Sequence, residues 1–189
     1  MTKPRKLPTQ EMLNSLLHYE PETGALLWKT RPVTMFVDKA HSAEHTCNRW
    51  NSKFSGKPAF TCVGTDGYLK GAINNQTTRA HRVIWKMVTG NDAETVDHID
   101  GNRTNNVWGN LRDVPTKVNT KNSARPKSHT NPAVGVRRNN GGGWQAYLNA
   151  DGKFISFGTY ATVEEAIAAR KAGQIGFGFH PNHGRVAVN

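Results

Sequence analysis

Apolar positions along the chain are sparse and come in short bursts separated by polar, glycine-rich stretches. After Thr9, the residues Met12, Leu13, Leu16 and Leu17 recur at helical spacing, which predicts a short amphipathic helix capped by that threonine. Glu22-Thr23-Gly24 then turns the chain into Ala25-Leu26-Leu27-Trp28, a strand by length and content. From about Thr30 the pattern is irregular and polar. It resumes with Pro58–Val63 and Tyr68–Ile73 around Thr65-Asp66-Gly67, which predicts a hairpin. Val83, Ile84, Met87 and Val88 predict a helix over about 81–88 that stops at Gly90. Next come a short strand, Val96-Asp97-His98-Ile99, an Asn/Gly-rich loop, a second strand near Leu111 and a helix beginning at Thr116. This ββα unit holds too little apolar surface to organise itself by a core. Ala124–Pro132 reads as a polar, basic linker. Three strands follow (Val134–Arg138, Trp144–Asn149, Phe154–Phe157), then a helix opened by the capping box Thr162-Val163-Glu164-Glu165.

The expected fold class is α+β, in five segments: a hairpin-helix lead-in (1–92), the ββα unit (93–123), the linker (124–132), a sheet-plus-helix module (133–173) and a tail (174–189). No internal repeat is visible.

Charge sharpens this outline. Among 189 residues, 25 Lys and Arg stand against 14 Asp and Glu, a formal charge of +11, which makes nucleic acid the first expected partner and plain solubility the alternative. No run approaches the roughly 18 apolar residues of a membrane span. The charged start, Met1–Lys6, has no apolar stretch behind it, so no secretory signal is expected. Cys47 and Cys62 make no disulfide scaffold, which fits a reducing cytoplasm. His41, His45, Cys47 and Cys62 carry zinc-compatible atoms at spacings that suit no structural zinc site.

The chemistry concentrates in the ββα unit. Asp97 and His98 are adjacent on a short strand, Asn110 lies on the return strand within reach of His98 across the hairpin, and Asn119 falls three residues into the next helix. Asp97 and Asn119 offer hard oxygen ligands of the kind Mg²⁺ takes, and a histidine titrating near neutrality is a usable base. The same asparagines also suit turns, so Asn102, Asn105, Asn106 and Asn110 are open to a plain loop role.

The string Asp97-His98-Ile99-Asp100-Gly101-Asn102, with Asn105-Asn106, Asn110-Leu111-Arg112, Asn119 and Asn122 behind it, resembles the HNH endonucleases of bacteriophages. These are the nicking, homing-type enzymes in which the last histidine of the name is an asparagine. Asp66-Gly67-Tyr68 and Ala80-His81-Arg82-Val83-Ile84-Trp85 resemble the segments that precede the motif, and the likeness covers about Leu16 to Ser123. It implies a ββα-metal fold and a monomer that nicks double-stranded DNA in the cytoplasm of a phage-infected cell. His98 would be the general base and Asn110 the residue that orients it. Asp97 and Asn119 would hold one divalent ion, Mg²⁺ or a substitute such as Mn²⁺. Arg82 would touch a phosphate beside the site, whereas His81 is expected to anchor a helix N-terminus.

In the last module, Gly135-Val136-Arg137, Trp144, Phe157-Gly158-Thr159-Tyr160 and the helix through Glu164–Arg170 resemble the plant Apetala and ethylene-response DNA-binding domain. Arg137 falls on that family's base-contacting arginine. Tyr147, Asn149, Phe154 and Ser156 depart from its pattern, which puts base readout by the sheet in question. Trp144 is expected in the core. Arg138, Lys153, Arg112, Lys117, Lys121 and the linker cations Arg125 and Lys127 are expected at phosphates. From Arg112 to Arg138 there are seven basic residues and one acidic, Asp113. Two rival functions are a DNA-binding protein with an inactive nuclease site and a nuclease directed at RNA.

Overall fold

Thr9 caps the first helix as its position predicts, its hydroxyl accepting from Met12 N–H, and α1 runs Gln10–Leu16. A computed structural model describes residues 6–115, 130–181 and 183–184. The helix expected from Thr116 therefore lies outside the described residues, with Lys117, Asn119 and Lys121, and so do the cations Arg125 and Lys127. Among the described residues the fold mixes four α-helices with small antiparallel sheets. None of the helices is long and apolar enough to cross a membrane. The chain divides into two units, Met1–Val114 and Pro115–Asn189.

In the first unit, Leu17 leaves the helical path and begins β1 (Leu17–Glu20), which pairs with β2 (Ala25–Trp28) across the Glu22–Gly24 turn. The run of leucines reads as helix to its end. The chain turns extended at Leu17, where the same side chain is buried from a strand. α1 packs on α3 (Ala80–Thr89), and Leu13, Leu16, Leu17, Val83 and Ile84 are all at most 2 % exposed. Fully burying each such side chain stabilises the unit by about 1.5–3 kcal/mol. α3 ends at Gly90, whose left-handed conformation closes a bond to Lys86 O. The amide of Gln10 reaches across from α1 to cap the Met87 carbonyl at 2.8 Å.

Three expectations change. The expected hairpin strand at Pro58–Val63 is split between two sheets. β3 (Pro58–Ala59) adds to β2, while β4 (Cys62–Val63) pairs with β5 (Leu69–Ile73) around the Asp66-Gly67 turn. The break falls at Phe60, buried in the core with a positive φ. β6 (Gln76–Arg79), wholly polar, completes the second sheet, because its pairing is by backbone to β5 rather than by an apolar face. The polar stretch after Thr30 holds a twelve-residue helix, α2 (Ala43–Phe54), capped by Ser42. Its apolar stripe is only Cys47, Trp50 and Phe54. Trp50 packs edge-on against Trp28 with centroids 5.7 Å apart, and the Arg31 guanidinium sits 3.8 Å from the Trp50 centroid. That helix is stabilised by aromatic residues distant in sequence, so local periodicity does not show it.

The second unit matches its predicted plan. β9 (Val136–Arg138), β10 (Trp144–Ala150) and β11 (Lys153–Tyr160) form one sheet with β10 in the middle. α4 (Val163–Ile175), with both halves of its capping box formed, covers one face, and Val136, Ala146 and Ala166 are fully buried beneath it. Trp144 packs against this cluster, as expected.

Candidate active site

Two strands carry the site. β7 (Val96–His98) pairs with β8 (Leu111–Asp113) in the register Val96↔Asp113, Asp97↔Arg112, His98↔Leu111. Val96 and Leu111 sink into the core of the first unit and anchor the ribbon. The loop between the strands replaces apolar packing with hydrogen bonds. The Asp100 carboxylate accepts from Asn102 N–H at 2.8 Å, from the Asn105 amide at 2.7 Å and from the Asn110 amide at 2.9 Å. Burial works to raise the Asp100 carboxyl, but these donors outweigh it and hold the group below the usual carboxylate range. Asn110 gives its other amide hydrogen to Asn105 O, and its oxygen accepts from Asp100 N–H. All three bonds of the Asn110 side chain fall on the loop.

The amide that meets the histidine belongs to Asn106. His98 is 3 % exposed, and its Nε2 lies 3.0 Å from Asn106 Oδ1, an oxygen that can only accept, so this nitrogen donates. The imidazole also packs edge-on against His81, with centroids 5.1 Å apart at 90°, and lies 5.8 Å from Tyr68. Burial lowers the basicity of His98, while the Asn106 bond and the Asp100 and Asp97 charges pull it back up. His81 is pushed down to about 3 by burial, with His98, Arg79 and Arg82 adding repulsion. It is therefore neutral at physiological pH, as suits a packed helix-start residue. Asn106 is itself pinned. Tyr19 donates from its hydroxyl to Asn106 O at 2.8 Å, and Trp108 N–H bonds Pro21 O at 3.0 Å, which docks the β1–β2 turn onto the loop.

Asp97 is 8 % exposed, and its Oδ2 accepts both Nε (3.1 Å) and Nη2 (2.8 Å) of Arg112, its register partner. Arg112 thus spends its fork on this carboxylate. A carboxylate is the hard oxygen donor that Mg²⁺ takes, an ion content with one or two carboxylates and water. The Asp97 side of the expected metal pair fits such an ion, while its expected companion, Asn119, lies outside the described residues. No group of three His, Cys, Asp or Glu side chains that could hold a metal occurs among the described residues.

The remaining expected DNA contacts are spread over the two units. Arg82 reaches Ala93 O at 3.5 Å. On the sheet of the second unit, Arg137 bonds Gln145 at 3.0 Å and lies over Tyr147 and Phe154, which stack 5.3 Å apart. Arg138 lies over Trp144, and Lys153 is exposed at the start of β11. The sequence offers Asn106 only as one of several loop asparagines and Tyr68 only within the segment before the motif, and nothing in it marks Arg79 or Arg103. The Asn105-Asn106 pair stood in the motif, but nothing local distinguishes the asparagine that faces inward from those that make the turn.

Residues 78–121 match the HNH endonuclease family, a span that begins in β6 and takes in α3, β7, the asparagine loop and β8. The match supports a DNA-cleaving hydrolase, and HNH nucleases use a divalent metal ion. Neither the curated proteins nor the solved structures contain a match to the chain.

Proposed function

We propose that the chain is a phage-type HNH nickase, a monomer that hydrolyses one strand of duplex DNA with His98 as general base. The observation that carries this is His98 itself. It is a buried imidazole that bonds Asn106 through Nε2, on the strand beside a carboxylate, inside the segment that matches the nuclease family.

His98 takes a proton from water as the water oxygen bonds to phosphorus. The bond from phosphorus to the 3′ oxygen breaks, leaving a 5′-phosphate and a 3′-hydroxyl that takes its proton from solvent. Asn106 holds the ring through Nε2, and Asn110 positions it indirectly by tying Asp100 and Asn105 into the loop that presents Asn106. Arg112 aims the Asp97 carboxylate. Asp97 with Asn119 would hold a divalent ion, Mg²⁺ or Mn²⁺, whose charge opposes the negative charge that develops on the phosphate and the leaving oxygen. Grip on the duplex is assigned to Arg82, Lys117, Lys121, Arg125 and Lys127. Arg137, Arg138 and Lys153 of the second sheet would add a second handle. The concentration of cations between Arg112 and Arg138 supports that division.

The test is nicking of supercoiled plasmid in Mg²⁺. His98→Ala is expected to lower the rate about 10²–10⁴-fold, the usual worth of a general base. Asp97→Ala is expected to stop cutting with DNA affinity nearly intact. Wild-type protein that binds the plasmid yet cuts no faster than His98→Ala would leave only a DNA-binding role. A preference for RNA duplex over DNA duplex of matched sequence would overturn the choice of substrate.

A further inference from the structure

Beside the His98 ring lies a cluster of charge that the reaction scheme above does not use. Tyr68 packs on both histidines, 4.7 Å from His81 and 5.8 Å from His98 between centroids. Two guanidinium groups lie over the same tyrosine ring, Arg79 at 4.9 Å and Arg103 at 5.1 Å from its centroid. Asp66 holds both of them in place. Its carboxylate takes Arg79 Nε at 3.0 Å and Nη2 at 2.8 Å, while its backbone carbonyl takes Arg103 Nη1 at 2.8 Å. Lys70 also approaches that carboxylate, at 3.5 Å. Two cations thus pair with the one carboxylate and a third sits on the same residue's backbone carbonyl, and the patch keeps a surplus of positive charge.

These arginines come from separate places, the end of β6 and the asparagine loop, and both are exposed. Exposed ion pairs add little to stability, so the assembly is poorly explained as a staple. Its donor inventory points outward instead. Arg79 has Nη1 left over, and Arg103 has Nε and Nη2, none of them hydrogen-bonded among the described residues. A guanidinium laid on an aromatic ring and tied at one edge has little freedom left to lose, and its remaining edge is shaped for the oxygens of a phosphate.

We infer that Arg79 and Arg103 form a phosphate clamp that holds the DNA backbone next to the bond facing His98, with Tyr68 and Asp66 presetting the two forks. The inference rests on the nickase function proposed above and names its backbone contact at the site. It also assigns to the β4–β5 turn, through Asp66, a part in substrate positioning.

The experiment uses the full-length chain and a fluorescent DNA duplex, with binding measured in the His98→Ala background across a series of KCl concentrations. Arg79→Ala and Arg103→Ala are each expected to weaken binding and to reduce the slope of log Kd against log salt by about 1, and the double variant by about 2. Plasmid nicking with His98 intact is measured in parallel. Arg103→Lys, which keeps the charge and gives up the fork, is expected to retain the salt slope and still lose about tenfold in kcat. That split would not follow from damage to the fold, and thermal melts of the lysine variant serve as its control. Salt slopes unchanged in both alanine variants would overturn the clamp, as would an Arg103→Lys enzyme with wild-type kcat. Because the slopes are read without cleavage, a chain that fails to nick would sink the nickase function while the clamp is still judged by binding.

Discussion

Gly24→Ala perturbs the site from a turn that contains none of its residues. Gly24 has φ +75°, and a Cβ built there would stand 2.5 Å from Asn106 C, 2.6 Å from Val107 N and 2.9 Å from Asn106 O. All three are backbone atoms, so no side-chain rotation can relieve the overlap. Reaching ordinary van der Waals distance requires the 106–107 segment to retreat by roughly 1 Å. That retreat stretches two buried bonds, Tyr19 to Asn106 O at 2.8 Å and His98 to Asn106 Oδ1 at 3.0 Å. The left-handed backbone alone costs a non-glycine residue about 1–2 kcal/mol. Leaving buried partners unsatisfied costs about 1–3 kcal/mol more, for a total of about 2–5 kcal/mol.

Gly56→Ala is the internal control. Gly56 has φ +72° with nothing within 4 Å of its Cβ position, so it bears the conformational cost alone. Urea unfolding followed by tryptophan fluorescence should show Gly24→Ala destabilised by about 1–3 kcal/mol beyond Gly56→Ala. A misplacement of about 1 Å at His98, the proposed base, should also cut single-turnover plasmid nicking on the order of 10²-fold, with the control near wild type. Equal unfolding free energies for the two variants, together with wild-type nicking by Gly24→Ala, would refute the claim that this turn positions Asn106 and, through it, His98.

Three further outcomes are expected. Tyr19→Phe removes the hydroxyl from a buried carbonyl and should cost about 1–3 kcal/mol of stability, checked by thermal unfolding, with a smaller loss of nicking than Gly24→Ala. His81, held at about 3 in the folded chain, stays neutral where an unfolded histidine would protonate. Its contribution is therefore complete above about pH 6.5 and is lost as pH falls toward 3, at up to about 1.4 kcal/mol per pH unit. His98 shifts in the same direction, so His81→Gln should make the acid-side decline in stability shallower without abolishing it, and an unchanged decline would count against a buried neutral His81. Removing residues after 132 should lower DNA affinity and its salt dependence while slow nicking persists, and unchanged affinity in a filter-binding assay would deny the second unit its role as a handle.

Much of the fold and of the site was legible in the sequence, because the signals are local. Thr9 and Thr162 announce their helices by hydrogen bonds that close within three residues, and Gly90 ends α3 by a conformation open to glycine at little cost. The motif from Asp97 to Arg112 placed the histidine, the carboxylate and the asparagine loop on a short two-stranded ribbon, and the ribbon is there. What the sequence left undecided depends on partners far along the chain. α2 is stabilised by Trp28 and Arg31, and β6 by the backbone of β5, so neither shows in its own periodicity. Phe60 turns a continuous apolar run into two strands of different sheets by entering the core.

The same holds at the centre of the site. Several asparagines in one loop are chemically equivalent in the sequence, and each is suited to a turn. Asn106 becomes the partner of His98 because Tyr19, 87 residues away, and the bare backbone face of Gly24 fix where its segment sits. Arg79 and Arg103 are brought to one ring only because Asp66 and Tyr68 lie between them. Residue types and spacings determine which chemistry the chain carries. Long-range packing decides which copy of a repeated residue performs it, because direction and distance between side chains are set by the groups that enclose them.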